Sequence, residues 1–205
     1  NLDAALSDQE AGALINRATQ GLYPPGSTFK IVTMASALEN LPDAETAVYN
    51  CTGATKPAGA KSVITDYGGE HHDSMKLPEA FMVSCNNTSA QMALQMGDKN
   101  LRQTAENFGF NDNFLFQDMI VENSSYPTKN RTNFEIGWSG VGQSQVTATP
   151  MHMCLVAAAV ANGLCEKGRD ITVRAKGGDM IVCYTDENVT LTGDAKLVYT
   201  GEAEY

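Results

Sequence analysis

The stretch YPPGSTFKIVTMASALEN, residues 23–40, sets Ser27 and Lys30 three positions apart, where a Pro-Pro-Gly turn gives way to an apolar run. Positions i and i+3 share a helix face, so a lysine amine stands one turn from a serine hydroxyl. A serine that opens a helix has its Oγ at the positive end of the dipole, beside backbone N–H groups with no helical partner. In a dry pocket a lysine gives up its proton more readily than in water. Neutral, it can take the serine proton and make the hydroxyl a nucleophile, and the Ser27 N–H can form half of an oxyanion hole. The same spacing also describes a serine N-cap followed by a solvated lysine, the ordinary meaning of an isolated Ser-x-x-Lys.

A second group of residues bears on that choice. Ser84-Cys85-Asn86 falls at a polar elbow between two helical pieces in LPEAFMVSCNNTSAQMALQM, residues 77–96. At an elbow, side chains can face a cleft, where a hydroxyl can relay a proton and an amide can hold a substrate carbonyl or the lysine. Alternatively Ser84 and Asn86 cap the helix that begins near Thr88.

The elements that must position these groups follow from periodicity. Ile31, Met34, Ala35 and Leu38 recur at helical spacing, predicting a helix from about Ser27 to Glu39 that ends at Asn40 and Pro42. Residues 43–75 are rich in Gly, Pro and Asp, so strands there are short. A helix over Lys99–Phe108 stops at Gly109. Residues 110–133 read as irregular, with the aromatics of FNDNFLF packing back onto the core. Pro150 starts the apolar run Met151–Ala161, a buried helix closed by Asn162 and Gly163. From about Asp170 the pattern changes to period 2 in ITVRA, MIVCY, NVTLT and AKLVY, separated by turn residues, which predicts a β-meander.

With 205 residues, 42% of them hydrophobic, the chain can build one domain with a core, or a domain and a small appendage. A net charge of −10 argues against nucleic acid as a partner, since phosphate binding needs clustered cations. No run reaches the ~18–20 apolar residues of a membrane span. The opening NLDAALSDQE has no basic start and no apolar core of a signal peptide, so the chain is either cytoplasmic or cut from a longer polypeptide. The five cysteines (Cys51, Cys85, Cys154, Cys165, Cys183) show no C-x-x-C or His/Cys metal spacing and read mostly as buried thiols. Adjacent His71 and His72 diverge in a Gly-rich loop with no third ligand evident, which predicts a solvated loop, and His152 reads as a core histidine. No metal and no cofactor is expected.

YPPGSTFK, preceded by INRATQGL, resembles the active-site segment of the penicillin-binding proteins, the D,D-transpeptidases of peptidoglycan cross-linking. AFMVSCNNTSAQMAL resembles their Ser-x-Asn segment, and VGQSQVTATPMHMCLVAAAVANG their Gly-Gln turn and following helix. The resemblance spans about residues 14–163. It implies an α/β (α+β) fold of the penicillin-binding protein and serine β-lactamase type, here incomplete. The helical subdomain dominates, and a β-meander tail stands in place of much of the central sheet. It divides the chain into a mostly helical partial transpeptidase domain, residues 1–163, and a β-rich tail, residues 164–205, possibly foreign to it. The resemblance makes Ser27 the acylated nucleophile, Lys30 its base and Ser84 a proton shuttle. Asn86, Gly142 and Gln143 fall in the substrate-binding set, Gly142 and Gln143 through a turn. The implied partners are peptidoglycan stem peptides and β-lactams, and the implied place is the extracytoplasmic face of a bacterial inner membrane, anchored by a segment outside this chain.

The family's third motif, Lys-Thr-Gly, is missing in that form. Thr200-Gly201 follows Tyr199, and Thr192-Gly193 follows Leu191, so neither supplies the cation that binds a substrate carboxylate. The tail is instead similar to β-repeats of the OstA/LptA type. Two alternatives therefore stand beside the transpeptidase. One is a serine β-lactamase with Glu135 activating water. The other is a catalytically inert fragment or interaction module.

Overall fold

The computed structural model describes residues 15–113, 120–129, 131–164, 171–175, 178–184 and 189–193. They fall into two compact units, Asn1–Val156 and Ala157–Tyr205.

In the first unit the serine segment is a 3-10 turn, Gly26–Phe29, and the α-helix α1, Lys30–Asn40, begins only at the lysine. Pro25 precedes the turn and Gly26 enters it at φ 56°, a conformation that suits glycine. In a 3-10 turn residues i and i+3 eclipse, so Ser27 and Lys30 lie in line along the axis. The buried face of α1 and its entry is broad: Phe29, Lys30, Val32, Thr33, Met34, Ser36 and Ala37. Of the expected stripe, Met34 is buried in the core and Ile31 packs against it, but Leu38 is half exposed, whereas Thr33 and Ser36 are fully buried. The small polar residues allow close approach, and Thr33 Oγ1 donates to the Gly140 carbonyl at 2.8 Å.

α1 packs on α3, Asn86–Asn107, the longest helix, which follows the short α2, Leu77–Met82. α3 is broken at Gly97 (φ 75°, ψ 163°), so the helix expected from Lys99 is its far half. Two short antiparallel ribbons lie between α1 and α2. β1 (Tyr49–Cys51) pairs with β4 (Asp73–Met75), and β2 (Ala54–Thr55) with β3 (Ile64–Thr65). α4, Asn133–Ser139, opens with Thr132 and Glu135 bonding reciprocally and packs against α3.

The core joins these elements around Phe29, whose ring stacks on Tyr126 at 6.1 Å and meets Phe110 edge-on at 5.3 Å. Phe110 packs on His152, whose ring N–H reaches the Phe108 carbonyl at 2.8 Å, as expected of a core histidine. Phe114 and Phe116 of FNDNFLF lie outside the described residues. Ala148 exchanges backbone hydrogen bonds with Tyr23, and Thr147 with Ser125, which stitches the approach to the serine turn to the chain before α5, Pro150–Leu164. α5 runs past the expected Asn162–Gly163 stop. It is not the buried helix expected: His152 and Val156 are buried, but Cys154 and Leu155 are exposed. Among the described residues no helix is long and apolar enough to cross a membrane.

The second unit holds an antiparallel meander, β5 (Ile171–Ala175), β6 (Gly178–Tyr184) and β7 (Val189–Gly193), in the order β5-β6-β7. These are the first three strands expected; AKLVY lies outside the described residues, as does Thr200-Gly201.

Candidate active site

Ser27 lies on the wall of a cavity of about 830 Å³ that Ser84, Asn86, Gln143, Phe134 and Trp138 also line. The serine is exposed, while Lys30 behind it is 1% exposed. Four of the six residues singled out from the sequence therefore face one space, and Lys30 reaches two of them from behind.

Lys30 Nζ donates to the Ser84 carbonyl, to Ser84 Oγ at 3.1 Å and to Asn86 Oδ1 at 2.7 Å. An ammonium has three protons, and these three acceptors match them. The lysine thus reaches across to the elbow, where the Asn86 amide holds it, one of the two roles the sequence allowed that amide. Burial lowers its pKa to about 8, against the pull of Cys85 and Asp66, which favour the charged form.

The elbow owes its shape to Ser84, whose φ of 54° is left-handed and uncommon for a non-glycine residue. This residue turns the chain from α2 into α3 and presents both its carbonyl and its hydroxyl to the lysine. The helix cap differs from expectation: α3 starts at Asn86, and its N-cap is Cys85, whose Sγ accepts from Thr88 N at 3.2 Å. Neither Ser84 nor Asn86 serves as the cap; the Asn86 side chain accepts from Lys30 and donates through Nδ2 to the Thr65 carbonyl at 3.1 Å. Asp66 completes the helix start. Its Oδ1 accepts from the backbone N–H groups of Asn86 and Asn87, a carboxylate at a helix N-terminus.

Gly142 does not face the cavity. It is buried against the serine turn, with φ 73°, and its carbonyl accepts from Gly26 N at 2.9 Å. A Cβ there would sit 2.7 Å from Phe29 Cβ and closer still to the Gly26 carbonyl oxygen. Gly142 is the contact that lets the Gly-Gln turn press on the turn carrying Ser27. Gln143, beside it, does line the cavity.

Several residues that hold the site carried no sequence signal. Arg131 is 5% exposed, pairs with Asp98 at 3.3 Å, and donates to the carbonyls of Glu135 (2.8 Å) and Ser144 (3.2 Å), fixing the wall of α4 and the turn after Gln143. Glu135 also lines the cavity, but its Oε2 accepts from Thr132 N and Thr132 Oγ1, both at 2.7 Å. Those bonds hold its carboxyl below the usual range, which weakens it as a base for water. His72 is not in a solvated loop: its side chain is 17% exposed and its Nδ1 lies 3.5 Å from Cys51 Sγ. With Asp66 and Cys85 these two bring four potential metal donors together, within 4.8 Å of one another. Burial, then a hydrogen bond to Asp66, pushes the Cys51 thiol up to about 12.

A serine on a 3-10 turn, a buried lysine behind it and a Ser-x-Asn elbow opposite define the class, and the comparisons name the family. The chain belongs to the penicillin-binding protein transpeptidases: the model of the penicillin binding protein transpeptidase domain matches residues 3–167. It is 32% identical over 162 residues to the peptidoglycan D,D-transpeptidase PbpA of Mycobacterium tuberculosis, a match covering 77% of this chain and 32% of that protein. The solved imipenem acyl-enzyme complex of M. tuberculosis penicillin-binding protein A superposes with a TM-score of 0.73 at 32% identity. That match covers 79% of this chain and 37% of the solved one, so the fold is a partial α/β domain of the expected type. The chain spans about a third of the length of these relatives. It is also 38% identical over 74 residues to a diaminopimelate epimerase of Bacillus cereus, covering 36% of this chain and 25% of that protein.

Proposed function

We propose that the chain carries the acylating machinery of a penicillin-binding D,D-transpeptidase of peptidoglycan cross-linking. The observation that carries this is Lys30 Nζ bonded to both Ser84 and Asn86 behind the cavity that Ser27 faces. Neutral Lys30 takes the Ser27 proton and Oγ attacks the carbonyl of a D-Ala-D-Ala stem peptide. The C–N bond breaks, and the Ser84 hydroxyl passes a proton to the departing D-alanine. The acyl group then moves to the amine of a neighbouring strand. Asn86 and Gln143 hold the substrate amide. A β-lactam, whose ring stays attached after opening, would remain on Ser27. Peptidoglycan places this work on the extracytoplasmic face of the inner membrane, with anchoring supplied outside this chain.

The test is labelling with a fluorescent penicillin, followed by mass mapping of the adduct. A long-lived adduct on Ser27, abolished in Ser27→Ala, is expected. Rapid hydrolysis of the adduct would favour a β-lactamase, and no adduct on folded protein would favour an inert fragment. The β-rich segment 164–205 we read as having a separate origin, a reading supported by the change from helical to period-2 patterning after Gly163 and by Tyr199 and Leu191 standing where the Lys of Lys-Thr-Gly belongs. Sequencing the parent gene across residue 163 tests it: one uninterrupted frame in independent isolates would overturn it.

A further inference from the structure

Two cavities meet at one side chain. Phe134 lines the Ser27 cavity, and it also lines a second one of about 510 Å³, walled by Ala58, Gly59, Lys61, Ser62 and Arg131. We propose that this second cavity binds the carboxylate end of an acceptor peptide, whose amine then reaches across Phe134 towards Ser27.

A turn and the entry of a helix build the cavity. Between β2 and β3 the chain folds back at residues 57–60, where Ala60 N donates to the Pro57 carbonyl at 3.0 Å. Gly59 has φ 76° with nothing within 4 Å of an added Cβ, so glycine serves the turn's conformation there, not a tight contact. Asn133, the first residue of α4, donates through Nδ2 to the Ala58 carbonyl at 3.0 Å and ties the turn to that helix. Both walls are thereby held before a ligand arrives, which spares it the entropy of ordering them.

Charge distinguishes the two cavities. Asp66, Glu70 and Glu135 line the Ser27 cavity, whereas among the described residues no carboxylate lines the second, in a chain whose net charge is −10. Arg131 forms part of its wall, but that guanidinium is committed to Asp98 and to the carbonyls of Glu135 and Ser144. Lys61 is the cation left for a ligand. It is exposed and, among the described residues, makes no hydrogen bond or ion pair; neither does the hydroxyl of Ser62 beside it. An ammonium and a hydroxyl side by side can donate to the two oxygens of one carboxylate.

Transpeptidation consumes two peptides, and the second carries both charges: an amine that attacks and carboxylates that do not. A zwitterion lying over Phe134 with its carboxylate on Lys61 has its ammonium directed to the acidic wall on the Ser27 side. This orientation rests on the acyl-enzyme proposed above. There the ammonium first loses its extra proton to solvent. Its nitrogen forms the new C–N bond as the bond from the acyl carbon to Ser27 Oγ breaks, and the proton it then sheds passes through Lys30 to Oγ.

The probe is N-acetyl-γ-D-glutamyl-L-lysine, which carries two carboxylates and one amine; its diamide keeps the amine and loses both anions. Calorimetric titration of the full chain should show the dicarboxylate binding about tenfold more tightly at low salt, the order expected of one or two exposed ion pairs. The preference should shrink as ionic strength rises. In Lys61→Gln it should fall to about twofold, a change that folding damage would not produce, since damage weakens both ligands alike. Equal affinities for dicarboxylate and diamide, or an undiminished preference in Lys61→Gln, would overturn the site. So would a lack of binding by wild-type chain shown folded by circular dichroism. Penicillin labelling of Ser27 is read separately on the wild type. A chain that takes penicillin but shows no carboxylate preference keeps the transpeptidase reading and loses the second site. One that shows the Lys61-dependent preference but takes no penicillin keeps the carboxylate site and loses that reading.

Discussion

Lys30 is bonded in this structure as an ammonium, with its three protons matched to Ser84 and Asn86. To act as a base it must first lose one of them, and burial that brings its pKa to about 8 makes this accessible near neutrality. The neutral form is the active one, so the rate of Ser27 acylation should rise about tenfold per pH unit below 8 and level off above it. Stopped-flow labelling with a penicillin between pH 6 and 10 reads this directly, and a flat profile would refute the role. Lys30→Ala should slow acylation at least ~100-fold, the low end for a lost general base.

Among the elements, the serine turn and the Gly-Gln turn depend on one another. Gly142 occupies left-handed space and touches Gly26 and Phe29, so Gly142→Ala should cost about 1–3 kcal/mol in backbone strain alone. Thermal denaturation should show the loss, and labelling should fall with it because Ser27 is displaced. This contact was legible in the sequence only as a motif. Ser27, Lys30, Ser84 and Asn86 could be read because each motif is short and local. The α1 stripe was read at Met34 and Ile31 but missed Thr33 and Ser36, which the core accepts and hydrophobicity alone discards. The Cys51–Asp66–His72–Cys85 cluster could not be read at all, since its members are scattered over loops that only two small ribbons bring into register. Arg131 and Asp98 escaped for the same reason, and a buried arginine has no periodic signature.

For the molecule as a whole, every residue of the candidate site falls within the unit Asn1–Val156. Removal of residues 171–205 should therefore leave the acylation rate of Ser27 within about twofold, given that compact units fold on their own cores. A loss of folding or of labelling in the truncated chain, measured against the full one, would show that the meander supports the site. The alternation that predicted β5, β6 and β7 was plain in the sequence, and their antiparallel order suits the few residues that separate them along the chain.

The break in α3 at Gly97 sits one residue before Asp98, which Arg131 grips together with Tyr126 Oη. A rod snapped at one point and riveted at the next divides into two levers. Thermal fluctuation can lift the distal lever, Asp98–Asn107, while the proximal one continues to hold the asparagine beside the lysine. Amide hydrogen exchange should accordingly resolve two protection classes along this one helix, and Arg131→Met should speed exchange in the distal class far more than in the proximal one.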